Sequence, residues 1–235
     1  MPVCVICEQS VERWMPDPER EAYSPALRSL DIVAADADRH GCPTCGADDR
    51  ERHAWMYLAA TGILDEVAGR RALHVGPEPR LQQRLARLPI EWTLAQIDEL
   101  ETTLAASEAG GFHLIVCNRV LSAVPDVGET VRALGQQLSD GGWLMAQSPY
   151  APTLKHTLAF TAKPRPEAAH LFFGDRGHVR LFGADFACPF ASAGLHGGAY
   201  RHEDVLPGMD AATWGCNPRE PLFLFSRTRC LRSPS

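Results

Sequence analysis

The stretch Arg71-Ala72-Leu73-His74-Val75-Gly76-Pro77-Glu78-Pro79 decides how the rest of the chain is read. Its β-favouring apolar residues end abruptly at Gly76 and two prolines, and Leu81, Leu85 and Leu88 then recur at i, i+4 and i+7. That order predicts a buried strand, a sharp turn and an amphipathic helix, the opening half of a nucleotide-binding α/β unit. Gly76 falls where a ligand can approach the backbone closely, with a helix N-terminus just behind it. The full glycine fingerprint is absent, and one glycine also suits an ordinary strand-to-helix turn.

Downstream, Ile90 to Gln96 reads as a second strand, with Ile97, Leu100 and Leu104 following at helical spacing. Gly110-Gly111 breaks the chain before the apolar run Phe112 to Cys117, typical of a strand in a buried parallel sheet. Asp126, with Glu129 three residues on, starts a helix whose inner face is Val127, Val131, Leu134 and Leu138. Gly141-Gly142 is expected to end that helix, and Trp143 to Gln147 to form the next strand. Strand and helix alternate with short connections, which predicts an α/β fold with a parallel sheet covered on both faces. Beyond lie a polar loop from Ser148 to Gly177, a helix around Asp185 to Ala193, and closing strands near Leu195–Arg201 and Pro221–Arg227.

Upstream, Cys4-Val5-Ile6-Cys7 and Cys42-Pro43-Thr44-Cys45-Gly46 form two matched pairs separated by 34 residues. Two C-x2-C knuckles supply four thiolates, the closed tetrahedron of a structural zinc site. The other reading is four unrelated thiols or a single redox pair. The segment between them, with Pro16, Pro18 and Pro25, has too little periodic apolar sequence to fold without a staple. We therefore expect a zinc ribbon over residues 1–50, with Cys4, Cys7, Cys42 and Cys45 on the metal, and a main domain over residues 51–235. Asp48 to about Val67 is predicted to be the helix joining them. Asp49, Arg50, Glu51 and Arg52 lead in; Trp55, Leu58, Ala59, Ile63 and Val67 form the apolar face; Gly69 closes it.

At 235 residues, 45% hydrophobic and 22% charged, the chain has the composition of one globular α/β domain with a small appendage. A net charge of −6 argues against a broad nucleic-acid surface. No run approaches the ~18 apolar residues of a membrane span, and Met1-Pro2-Val3-Cys4 lacks the pattern of a signal peptide. The expected setting is the cytoplasm, where the eight cysteines are thiols and metal ligands rather than disulfides.

Four stretches carry a resemblance to a known family. They are the Cys42-Pro43-Thr44-Cys45-Gly46 ribbon with the helix after it; Leu73 to Pro79; Phe112 to Val124 with Leu138 to Pro149; and Leu171 to Gly183. Together they resemble class I S-adenosylmethionine-dependent methyltransferases, and within them a subgroup with an N-terminal zinc ribbon. The likeness covers nearly the whole chain; the third stretch is common to many methyltransferases, the first and last to the subgroup. It implies a Rossmann-like sheet with S-adenosylmethionine across the carboxyl ends of the strands. His74, Val75, Gly76, Pro77 and Glu78 would bind the cofactor, with Gln96 after the second strand and Asn118, Arg119 and Val120 after the third.

The chain also departs from that pattern. Gln96 stands where the subgroup has an acidic residue for the ribose, with Asp98 and Glu101 as nearby substitutes. The short segment before Phe112 implies one strand fewer than usual. Arg119-Val120-Leu121-Ser122-Ala123 stands where members often read His-Val-Leu-Glu-His.

For chemistry the candidates are His178, Arg180 and Tyr150. His178 and Arg180, two apart in an extended segment, would share a side, one as a general base and the other positioning an anionic acceptor. Alternatively both tie the loop to the core, and Tyr150 either meets a ligand or caps its strand. The expected activity is methyl transfer to a small molecule, with no nucleic-acid or membrane partner. The alternatives are a non-methylating reaction of the same cofactor, or a degenerate fold serving as a binding module.

Overall fold

The computed structural model describes residues 1–19, 24–160 and 162–231. Its strands are β1 (Arg71–Val75), β2 (Glu91–Ala95), β3 (Phe112–Cys117), β4 (Leu138–Met145), β5 (Leu158–Ala159), β6 (Arg180–Leu181), β7 (His196–Tyr200) and β8 (Leu222–Ser226). Six of them make one sheet in the order β2-β1-β3-β4-β8-β7, while β5 and β6 pair separately. Strands β2, β1, β3 and β4 are mutually parallel, and β8 runs antiparallel between β4 and β7. Leu73, Val75, Leu114, Ile115 and Val116 are fully buried. Both faces of those strands are therefore covered, which is why the sequence there reads as continuous apolar runs.

From β1 the chain goes to β2 on one side, and β3 pairs with β1 on the other. The strand order thus reverses at β1 and β3, and the crevice of such a sheet opens at their carboxyl ends. Among the described residues only helical segments, the longer being Leu100–Ala105, connect β2 to β3, so the sheet has the one strand fewer that the short segment implies.

Several boundaries differ from the sequence reading. The joining helix is Asp49–Ala60 and stops before Gly62, whose φ of +71° starts a separate turn, Ile63–Glu66. Its buried face carries Met56 and Tyr57, whereas Ala59 is exposed. Gly141-Gly142 does not end the next helix; that helix is Val127–Gln137, and both glycines lie inside β4 where the register against β3 shifts. The expected polar loop contains the helix Pro166–Phe173, which buries Ala169 and Phe173. The helix expected around residues 185–193 shrinks to Cys188–Ser192. No helix among the described residues is long and apolar enough to cross a membrane.

The N-terminal segment repeats one local device. In the first knuckle the Glu8 amide donates to Cys4 O at 2.7 Å; in the second the Gly46 amide donates to Cys42 O at 2.9 Å. Both turns need a left-handed residue, with φ of +61° at Glu8 and +75° at Gly46. Packing is continuous across residue 50. Cys4, Cys42 and Ala47 belong to one cluster of buried side chains with Tyr57, Leu81, Val116 and Leu224. Val33 and Tyr150 exchange two backbone hydrogen bonds, of 2.8 and 3.1 Å, fastening this segment to the chain beyond β4.

Candidate active site

The site is organised by the start of helix Asp49–Ala60. Asp48 is its N-cap: its carboxylate accepts from the Glu51 amide at 2.8 Å, and Glu51 returns the bond to the Asp48 amide at 3.0 Å. The four charges that follow are not a solvated lead-in, because Asp49, Arg50, Glu51 and Arg52 are all buried. Successive helical residues are rotated by about 100°, so each of the four meets a different part of the molecule. Asp49 accepts from the Asp36 amide and faces His40 Nδ1 at 3.1 Å. Glu51 also accepts from the Arg80 and Leu81 amides at 2.9 and 3.0 Å, capping the helix behind the β1 turn. Arg52 donates to the carbonyls of Arg39, His40, Ala47 and Gly215, with its guanidinium 4.0 Å over the Trp14 ring. Arg50 faces the crevice.

At the end of β1, His74 joins Glu78 and Gln82 through its two ring nitrogens, at 3.0 and 2.7 Å. Val75 is buried and Pro77 enters the following turn. Gly76 has the expected left-handed backbone, φ +58°, but not the expected open face. A Cβ there would lie 2.8 Å from Val120 Cγ2 and 3.7 Å from Ile97, so apolar side chains already cover this glycine. Val120 thus packs on the turn. Gln96 is exposed at the N-cap of the short helical turn after β2, and Asp98 and Glu101 are exposed beyond it. Asn118 is buried directly after β3 with both amide atoms unpartnered, and Glu78 Oε1 and Ser148 Oγ are likewise buried and unpartnered. These orphaned atoms stand after β1, β3 and β4, where an open parallel sheet takes its ligand.

Arg119 does not reach into the β1 turn. Its backbone is left-handed, φ +64°, a strained choice for a residue with a Cβ. Its amide donates to Gln147 O at 2.7 Å, and its guanidinium pairs with Asp48 at 2.7 Å. That pair draws the end of β3 toward the N-terminal segment. Between them lies a cavity of about 540 Å3 whose walls include Arg28, His40, Arg50, Arg119, Phe173 and His178.

His178 and Arg180 are separated. His178 lines the cavity, with Nε2 4.0 Å from Asp175. Burial, joined by the charges of Arg50, Arg119 and Arg180, lowers its pKa to about 4, against the opposing pull of Asp175. Arg180 instead donates to the carbonyls of Leu121, Val124 and Pro125, at 2.6, 2.5 and 2.7 Å. Its guanidinium staples the loop after β3 to β6. Tyr150 stands edge-on to Phe223, ring centroids 5.3 Å apart, with its backbone paired to Val33. The residues not singled out from sequence are Asp48, Arg50, Asp175 and Glu220. The Asp48-x-x-Glu51 capping box was the available signal for the first two, since it fixes which way Arg50 points.

The four knuckle cysteines converge. Cys4 and Cys45 sulfurs are 3.8 Å apart, Cys7 and Cys42 sulfurs 3.9 Å, and all four lie within 4.8 Å of one another. Thiolates ~2.3 Å from a tetrahedral zinc ion are about 3.8 Å apart along each edge, so the quartet fits that ion. A second buried group, His53, His202 and Cys216, is held differently: His53 Nε2 and His202 Nδ1 hydrogen-bond to each other at 2.9 Å, which engages both nitrogens.

A family model described as a methyltransferase domain matches residues 31–186. The chain belongs to the methyltransferase-domain family. Its sheet is Rossmann-like. Among similar solved structures is the trans-methyltransferase CalH complexed with SAH, at 14% identity and TM-score 0.40, covering 74% of this chain and 58% of that one. The chain therefore spans less than two thirds of that protein. A methyltransferase from Mesorhizobium loti is similar at 17% identity, TM-score 0.43, over 72% and 94% of the two chains. A putative methyltransferase from Thermobifida fusca YX is similar at 12% identity, TM-score 0.47, over 76% and 81%. No curated protein matches by sequence. In this methyltransferase domain the orphaned atoms of Glu78 and Asn118 fit the amino-acid end of S-adenosylmethionine, which offers an ammonium donor and a carboxylate acceptor. The covered face of Gly76 does not add to that fit.

Proposed function

We propose that this methyltransferase moves a methyl group to a small-molecule acceptor held in the cavity beside Arg119 and His178. The observation that carries this reading is the cavity itself. It measures about 540 Å3 and adjoins the carboxyl end of β3, within the roughly 300–1,000 Å3 of small-molecule sites. When bound, S-adenosylmethionine supplies an electrophilic methyl group on a sulfonium.

This chain's residues do the rest. Glu78 Oε1 accepts from the cofactor's ammonium and Asn118 offers one donor and one acceptor beside it. Gln96, Asp98 or Glu101 takes the ribose hydroxyls. His178, kept neutral by burial, takes the proton that an N–H or O–H acceptor loses, and Asp175 stabilises the resulting imidazolium. Arg180 positions the loop after β3 rather than touching the acceptor. Alignment of acceptor and methyl group accounts for most of the rate. Cys4, Cys7, Cys42 and Cys45 hold a structural zinc ion, as in a zinc-ribbon subgroup, with residues 1–50 as the ribbon and 51–235 as the main domain. The setting is cytoplasmic.

Calorimetry with S-adenosylmethionine should show one site per chain. Combining Glu78→Gln with Asn118→Ala should weaken it at least tenfold, about 1.4 kcal/mol, with the circular dichroism spectrum unchanged. Turnover with a panel of small acceptors should release S-adenosylhomocysteine. Methylthioadenosine in its place would assign a non-methylating reaction, and absence of binding heat would leave a degenerate binding module.

A further inference from the structure

Arg50 is a buried charge to which no described residue gives a hydrogen bond. It is 4% exposed, and its Nε and Nη2 have no partner among the described residues. Its nearest ion partner is Glu220 Oε1, 3.6 Å from Nε, beyond a good hydrogen bond. Glu220 is itself drawn to His53 Nδ1 at 3.4 Å. Charge is thereby balanced at a distance, while the hydrogen-bonding capacity of the guanidinium stays open.

The geometry of what stays open is specific. A planar guanidinium offers paired donors along its edges, the fork that receives two oxygens of one carboxylate or phosphate; the Nε of Arg50 is the donor nearest Glu220. Arg50 lines the cavity together with Arg28, Arg119 and His40. Three carboxylates of the same wall have partners of their own. Asp31 pairs with Arg219 at 2.9 Å, Asp175 accepts from the Gly177 amide at 2.7 Å, and Asp17 accepts from the Glu19 amide at 2.9 Å. Glu19 is exposed. A buried polar group without a partner is costly, and within this cavity an oxyanion meets that demand with matching charge.

We propose that the cavity receives its ligand through an oxyanion on the guanidinium of Arg50, so that the methyl acceptor is an anionic small molecule. The second half rests on the methyl-transfer reading; the anion site does not. Arg50 then fixes the orientation of the acceptor, and the opposite end of the acceptor reaches His178 on the same wall.

The test is calorimetry on the full chain, without cofactor, using inorganic phosphate and acetate as probes at constant ionic strength. One saturable anion per chain is expected, and the tighter of the two probes assigns phosphate or carboxylate. Arg50→Lys keeps a cation beside Glu220 but loses the fork, and should weaken binding at least tenfold. The neutral pair Arg50→Gln with Glu220→Gln should do the same, and serves if the lysine variant does not fold. Arg201→Gln, at an exposed cation outside the cavity lining, should bind as the parent does. Absence of saturable binding in the parent, or undiminished binding in a folded Arg50 variant, overturns the proposal. Anion binding that stays intact while no S-adenosylhomocysteine forms would count against the methyl-transfer reading alone.

Discussion

Arg50 and Arg52 lie two residues apart on one helix, both are buried, and their surroundings are opposites. Arg52 donates to four backbone carbonyls and stacks on Trp14. Arg50 faces a cavity and has a carboxylate near it but no hydrogen bond among the described residues. Arg180 belongs with Arg52, since three carbonyls of the loop after β3 take its donors. A buried guanidinium saturated by its own chain holds that chain together. One left unsaturated at a cavity wall is available to something else, and burial alone does not tell the two apart.

The largest way to break the comparison is to remove the metal proposed for the knuckles. Arg39, His40 and Ala47, three of the carbonyls around Arg52, belong to the second knuckle and its approach, whereas those around Arg180 do not. One zinc ion per chain is expected by metal analysis of protein purified without chelator. Cys42→Ser should release it and lower the melting temperature by more than 10 °C, because structural zinc contributes on the order of 10 kcal/mol to such modules. Hydrogen exchange should then show opening around Arg52 and protection retained around Arg180. Metal-free parent protein would end the zinc assignment.

Next in size is Arg52→Met. It leaves four carbonyls without their donor, and breaking a buried charged network costs about 3–5 kcal/mol, roughly 10 °C in melting temperature for a chain this long. If Arg52→Met melts within a couple of degrees of the parent, the distinction between the two arginines fails.

The smallest effect is expected at Arg180. Arg180→Lys retains the charge but not the three-carbonyl geometry, which should cost about 1–2 kcal/mol. Activity per folded molecule should stay at the parent's level. A fall in kcat at unchanged stability would return Arg180 to the acceptor side of the site.

The sheet was readable because its signals are local. Leu73-His74-Val75-Gly76 and Phe112 to Cys117 state strand and turn within a few residues, and the matched cysteine pairs state their own convergence. What sequence reading missed depends on distant parts of the chain. Asp49 to Arg52 looks like a solvated helix start until residues 36–47 and 215–220 are folded over it. Gly76 looks open until Val120, from another strand end, is seen against it. His178 and Arg180 share a side only if their segment is extended and unobstructed. In the structure the carbonyls of residues 121–125 claim Arg180 first. The helix Pro166–Phe173 was hidden inside a stretch whose prolines and charges read as loop, although a proline is well suited to a first helical turn.

The reach of helix Asp49–Ala60 also sets an order of events in time. The Gly215 carbonyl that Arg52 binds lies 163 residues further on, and the Glu220 carboxylate facing His53 lies 167 residues beyond that histidine. At synthesis rates of ~5–20 residues per second, those partners leave the ribosome on the order of ten seconds after the helix they complete. Until then the row of charges is covered only in part, by residues 36–47 and the amides of Arg80 and Leu81. The helix is made well before the residues that complete its surroundings.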